Sequence, residues 1–198
     1  MYPARRVSDP RTRWDARWAA ACGPPGAPHP GVAELADRLA VGARVLDIAA
    51  GRGRQSLGLA RAGHRVTACD VSPAGLQRLR QDAHKQGVVI TTVVADLAER
   101  LPESCAGPWS AVVCVDYCAP ALWPQLREVV APGGVLFVSL ATTSNLQRHA
   151  RPSRRFVVEP HMGLEVLGEL SPVVVSADWR RSGRHELWVW AVRPPDDR

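Results

Sequence analysis

From residue 31 onward, short apolar runs alternate with helical segments, and this alternation constrains the fold more than any other property of the chain. The runs at 44–48, 65–69, 88–94, 111–115 and 135–140 have the length and the apolar or β-branched character of buried strands. Between them, 33–39, 55–62, 73–86 and 121–130 read as helices, with Ser72 as N-cap and Pro73 at the first helical position of the third. Pro132-Gly133-Gly134 marks the turn into the fifth strand. Strands and helices alternating at short spacing imply βαβ units and a parallel sheet. The tail differs: runs at 173–176 and 187–192 flank the polar turn Ser182-Gly183-Arg184, which predicts an antiparallel pair at one sheet edge. The expected architecture over residues 31–198 is a Rossmann-like, doubly wound α/β fold. Its sheet is mostly parallel and seven-stranded, with a terminal antiparallel strand.

Residues 1–30 form a separate arm rich in Arg, Pro and Gly, ending in Gly23-Pro24-Pro25-Gly26-Ala27-Pro28. Prolines at this density block a long helix. A short helix is expected over 14–20, and its two tryptophans, Trp14 and Trp18, need a surface to cover, so the arm is expected to dock.

The 198 residues suit one domain with one core, and an apolar fraction of 46% is that of a globular chain. No apolar run is long enough for a membrane span, and no secretory h-region follows the N-terminus. Five cysteines, Cys22, Cys69, Cys105, Cys114 and Cys118, include no CxxC pair. That argues against a disulfide framework and a structural metal site, and for a reduced, cytoplasmic setting. Cys69 and Cys114 fall inside strands and are expected to pack as small apolar groups. His64 is expected at the surface, in a turn. The net charge of +6 comes almost wholly from arginine, with Lys85 the sole lysine, a bias in keeping with a GC-rich bacterial source. The arginines are scattered over the chain, which weakens a nucleic-acid reading.

In an open parallel sheet, ligands bind beyond the carboxyl ends of the strands. After the first strand stands Asp47-Ile48-Ala49-Ala50-Gly51-Arg52-Gly53-Arg54, whose small residues let a ligand approach the backbone and whose following helix N-terminus favours an anion. Asp70 ends the second strand, about 20 residues on, where a carboxylate can accept from ribose hydroxyls. Asp96, in Ala95-Asp96-Leu97, ends the third and is placed to read an adenine amino group. A dinucleotide site needs a third small residue where Ser56 stands, and Asp47 would repel a pyrophosphate. A ligand bearing both an ammonium and a carboxylate suits an acid beside exposed amides better.

Two segments carry a family resemblance: 45–54 (VLDIAAGRGR) and 63–73 (GHRVTACDVSP). With them the chain resembles the class I S-adenosylmethionine (SAM)-dependent methyltransferases. It is most similar to the tellurite-resistance-type branch, whose upstream W-D-x-R-aromatic motif is matched by Trp14-Asp15-Ala16-Arg17-Trp18. The resemblance implies SAM as cofactor and S-adenosylhomocysteine (SAH) as product, with Asp47, Ala49 and Gly51 bordering the methionine moiety. Asp70 would hold the ribose, and Asp96 with Leu97 would border the adenine. Trp14, Gly53, Val71 and Val115 would complete the cofactor set. The arm would close over the cofactor, with Arg17 pairing with its carboxylate.

The acceptor side is less legible. Asp116-Tyr117-Cys118-Ala119-Pro120 lacks the basic or aromatic pattern expected after the fourth strand. Tyr117, His149 and Arg154 are the candidate substrate-binding residues, with Asp116 and His161 as further polar candidates, mainly as pocket lining. The run at 148–155 (RHARPSRR) offers either an anion site or a solvated loop. The expected partner is a small-molecule methyl acceptor, either a soft sulfur, selenium or tellurium nucleophile or an anion, taken up by a monomer or homodimer. Two alternatives stay open. A nucleic-acid methyltransferase lacks its N/D-P-P-Y/F tetrapeptide here, and a non-catalytic SAM-binding or dehydrogenase-like protein would bind without transfer.

Overall fold

A computed structural model of the chain describes residues 9–98 and 100–196. Helix α1 (Pro10–Ala20) belongs to the arm. The main body runs α2 (Pro30–Arg38), β1 (Arg44–Ile48), α3 (Arg54–Arg61), β2 (Arg65–Asp70), α4 (Pro73–Lys85), β3 (Ile90–Val94), β4 (Trp109–Val115), α5 (Trp123–Glu128), β5 (Val130–Ala141), α6 (Gly163–Leu167), β6 (Ser171–Trp179) and β7 (His185–Val192). The strands form one seven-stranded sheet in the order β3-β2-β1-β4-β5-β7-β6. β1 to β5 pair in parallel, while β7 inserts antiparallel between β5 and β6. The order reverses between β1 and β4, which is where such a sheet opens a crevice.

Side chains on β4 alternate between two cores, as the period of two requires. Ala111, Val113 and Val115 join Leu35, Leu57, Leu76 and Leu79 under α2, α3 and α4. Val112 and Cys114 join Trp123, Leu126 and Val166 under α5 and α6. Phe137 on β5 is fully buried on the first face, a burial that contributes about 1.5–3 kcal/mol. No helix among the described residues is long and apolar enough to cross a membrane.

Several boundaries moved for identifiable reasons. α2 begins three residues before the expected 33 because His29 caps it, its ring Nδ1 accepting from the Gly31 amide at 3.2 Å. The expected helix over 121–130 is broken into a 3-10 turn, Pro120–Leu122, and the six-residue α5, with Pro124 in its first turn. α1 starts at Pro10, earlier than the expected 14, with Asp9 as its cap. The segment 142–170, left without elements by the sequence, holds three 3-10 turns and α6. His64 is corrected from surface to core: it lies in the turn before β2 but is 5% exposed. Its Nε2 meets the Ala36 carbonyl at 2.9 Å because α2 covers that turn.

Candidate functional site

A cavity of about 1450 Å³ opens at the carboxyl ends of β1, β2 and β4, between the sheet and α1. Typical single-ligand sites are roughly 300–1,000 Å³, so this one has room for a cofactor and an acceptor together. The acids at the ends of the first three strands, Asp47, Asp70 and Asp96, all line it, as do Ala49, Gly51, Val71, Leu97 and Val115.

Asp47 is 1% exposed and accepts from the Ser56 hydroxyl at 2.5 Å. Burial raises its pKa to about 7, against the hydrogen bonds of Ser56, and the neighbouring Asp70 charge raises it further. Asp70 accepts from the Gly51 amide with one oxygen and from the Ser72 amide with the other, both at 2.8 Å. These bonds tie the β1 loop to the end of β2. Burial nevertheless lifts its pKa above the ordinary aspartate value. Asp96 is exposed, with one oxygen accepting from the Ala98 amide at 3.0 Å.

Backbone conformation marks the same walls. Ala49 (φ 55°) and Asp116 (φ 61°) are the non-glycine residues with left-handed φ among the described residues, and both line the cavity. Such strain costs on the order of 1–3 kcal/mol and is held by its surroundings. A Cβ on Gly51 (φ 57°) would lie 2.7 Å from the Trp18 ring, so glycine is required for the arm to dock. Gly53 does not line the cavity. A Cβ there would meet Leu79, so glycine lets α3 pack on α4.

The arm is seated by Asp15, whose Oδ1 accepts from the Ser72 hydroxyl at 2.5 Å and the Ala74 amide at 3.1 Å. These bonds at the start of α4 hold the Asp15 carboxyl below its usual pKa. Trp14 and Trp18 stack at 5.6 Å, and the Arg17 guanidinium lies over both rings. Trp14, Arg17 and Trp18 thus form one wall of the cavity, and Arg17 has no carboxylate partner among the described residues.

On the far side of the cavity, Asp116 is paired to Arg184 and lies 3.7 Å from Arg54. Tyr117 lines the cavity, half-buried, and burial pushes its hydroxyl pKa up, so it stays protonated. Cys118 is shifted the same way by the same cause. His149 and Arg154 stand outside the cavity lining: the His149 ring bonds the Gly183 carbonyl at 2.7 Å, and the wall there is made by Arg151, Ser153 and Arg155 instead. His161 also lies outside. Arg13, Arg54, Phe156 and Arg184 line it without having been expected. Arg184 comes from a hairpin far along the chain, which no local motif announces. Ser56 was legible only as the residue that breaks a dinucleotide motif.

Two buried carboxylates with raised pKa, side by side, favour a ligand that brings positive charge. SAM carries an ammonium and a sulfonium, and its carboxylate matches the unpaired Arg17. The donor set therefore fits that cofactor.

Comparison with known proteins agrees. Residues 45–134 match the methyltransferase domain family. The ubiquinone biosynthesis O-methyltransferase of Xylella fastidiosa (strain 9a5c) is 33% identical over 103 residues, covering 50% of this chain and 42% of the relative. The chain thus spans less than half the length of that relative. A structure reported for the conversion of a disulfide bond into a thioacetal group during echinomycin biosynthesis superposes with a TM-score of 0.71 at 18% identity. The superposition covers 94% of this chain and 93% of that one. TehB from Haemophilus influenzae gives a TM-score of 0.65 at 18% identity, covering 84% of this chain and 62% of its own. Residues 45–134 thus match a methyltransferase domain, and the sheet order and the three strand-end acids around one cavity make the chain similar to the SAM-dependent methyltransferases.

Proposed function

We propose that this protein transfers the methyl group of SAM to a small molecule whose nucleophile is a soft sulfur, selenium or tellurium atom. The observation that carries the reading is one cavity lined both by Asp47, Asp70 and Asp96 and by Asp116, Tyr117 and Cys118. When bound, SAM supplies an electrophilic methyl group, and displacement at it depends on alignment and on exclusion of water. Asp47 balances the positive charge at the methionine end, and Asp70 presents the lone pairs left by its two amide bonds. The stacked Trp14 and Trp18 wall off that end as a lid, with Arg17 holding a carboxylate.

Asp116, Tyr117 and Cys118 offer no group suited to deprotonate a hydroxyl or amine. Asp116 is engaged by two arginines, Tyr117 and Cys118 are held protonated, and no histidine lines the cavity among the described residues. A thiolate or its heavier analogue needs no such base. The likeness to the fold reported for disulfide-to-thioacetal conversion is in keeping with chemistry at sulfur.

The test is a screen of the full chain with methyl-labelled SAM against thiol, selenol, oxyanion, amine and tRNA acceptors. Transfer to a soft nucleophile is the expected result. Transfer to tRNA, or SAH binding without transfer to any acceptor, would overturn it.

A further inference from the structure

The cavity lining holds more arginines than acids, and three of its arginines besides Arg17 lie without an acid partner among the described residues. Asp47, Asp70 and Asp96 line it from the strand ends, and Arg13 on α1 lines it with Arg151 and Arg155 on the segment between β5 and α6. Among the described residues none of these three has a carboxylate within ion-pair distance. Asp116, the other acid of the lining, is already taken by Arg184 and Arg54. Arg13 and Arg155 also share one ring: their guanidinium carbons lie 5.7 Å and 4.4 Å from the centre of Phe156, which is 36% exposed. Two cations on one aromatic ring repel, and the ring's quadrupole offsets only part of that. An anion between them removes the repulsion and gains charge-assisted hydrogen bonds.

We propose that Arg13 and Arg155, which share the Phe156 ring, form with Arg151 of the same cavity lining a subsite for an anionic group of the methyl acceptor, a carboxylate or an oxyanion. This rests on the methyl-transfer reading and narrows it: the acceptor is an anionic small molecule whose charged end sits at these arginines. Phe156 gives an apolar or planar body a surface beside that charge. The three arginines line one cavity, which fits a small anion better than a nucleic-acid backbone.

The probes are benzoate, its uncharged counterpart benzamide, and inorganic phosphate, titrated calorimetrically into the full chain with and without saturating SAH. Benzoate is expected to bind at least about tenfold more tightly than benzamide, a charge-assisted contact's worth of free energy. Displacement of benzoate by phosphate would mark an oxyanion site, and benzoate binding without displacement a carboxylate site; both support the subsite. The Arg151→Ala/Arg155→Ala double variant is expected to lose roughly tenfold or more in benzoate affinity while SAH affinity stays within about twofold. Arg155→Lys, which keeps the charge, is expected to retain most of the binding. Equal binding of benzoate and benzamide, or benzoate binding unchanged in the double variant, would overturn the proposal. So would an oligoribonucleotide that binds through these arginines and is not displaced by benzoate. If SAH fails to bind, the methyl-transfer reading falls by itself, and the titration without SAH still decides whether these arginines select anions.

Discussion

Arg184 grips Asp116 with both terminal guanidinium nitrogens, at 2.6 Å and 3.3 Å, joining the β6–β7 turn to the end of β4 across 68 residues of sequence. The same guanidinium lies 3.2 Å from Glu186, so one side chain links the cavity wall to the interior. Arg184→Ala is expected to leave Asp116 with only its 3.7 Å contact to Arg54 and to leave the buried Glu186 with less compensation. The expected cost is about 1–3 kcal/mol, allowing for the partial exposure of the Asp116 pair. Urea unfolding checks the stability. A higher KM for the acceptor with SAH affinity unchanged checks the role at the wall.

Glu186 gives stability a pH dependence on the acid side. Burial acts to raise its pKa, but hydrogen bonds from His29 and Trp188 and the Arg184 charge outweigh it and hold the carboxyl below the ordinary glutamate value. A depressed acid stabilises the fold above its unfolded pKa, here 4.5, and that contribution is lost as pH falls through the folded value. Thermal melts from pH 7 down to 3 are expected to show this loss below pH 4.5, and Glu186→Gln to show a flatter decline.

Asp47 acts in the opposite direction and bears on binding. With its pKa raised to about 7, it is half-protonated at neutral pH, and a ligand ammonium requires it ionised. SAH affinity is therefore expected to fall as pH drops below 7, approaching tenfold per unit, with proton release rising from about half a proton per SAH at pH 7 toward one at lower pH. Calorimetry in buffers of different ionisation heat counts that proton. Asp47→Asn is expected to bind more weakly and to lose the pH dependence.

The arm's docking is set by Gly51 and Asp15. Gly51→Ala places a methyl group 2.7 Å from the Trp18 ring and forces alanine into positive φ, at a conformational cost of about 1–2 kcal/mol. Weaker SAH binding and faster proteolysis within 21–28 are the expected results. Asp15→Ala removes the bonds to Ser72 and Ala74 and is expected to give a milder form of the same phenotype.

The parallel half of the fold was readable because β1 to β5 are buried runs separated by helices with their own start signals, such as Ser72-Pro73. The antiparallel pair was readable from Ser182-Gly183-Arg184, although its insertion of β7 beside β5 was not. His29 is hard to recognise as a cap because its ring, not a hydroxyl or carboxylate, accepts the amide, so α2 started earlier than its periodicity indicated. At the site, the strand-end acids were visible because topology alone brings carboxyl ends together. Arg184, Arg155 and Phe156 reach the cavity through irregular segments, where no period relates position to direction. The run at 148–155 flagged the right stretch, but which arginine faced inward depended on turns that the sequence does not encode locally.

Binding of SAM by Asp47, Asp70 and the β1 loop underlies the proposed transfer. It is tested most directly by calorimetric titration of SAH into the full chain and its Asp70→Ala variant, with melting curves showing that both are folded. One site is expected in the parent chain, with an affinity roughly 10- to 100-fold weaker in the variant, which loses the carboxylate at the end of β2. No SAH binding by the parent chain, or equal affinity in the two, would contradict it.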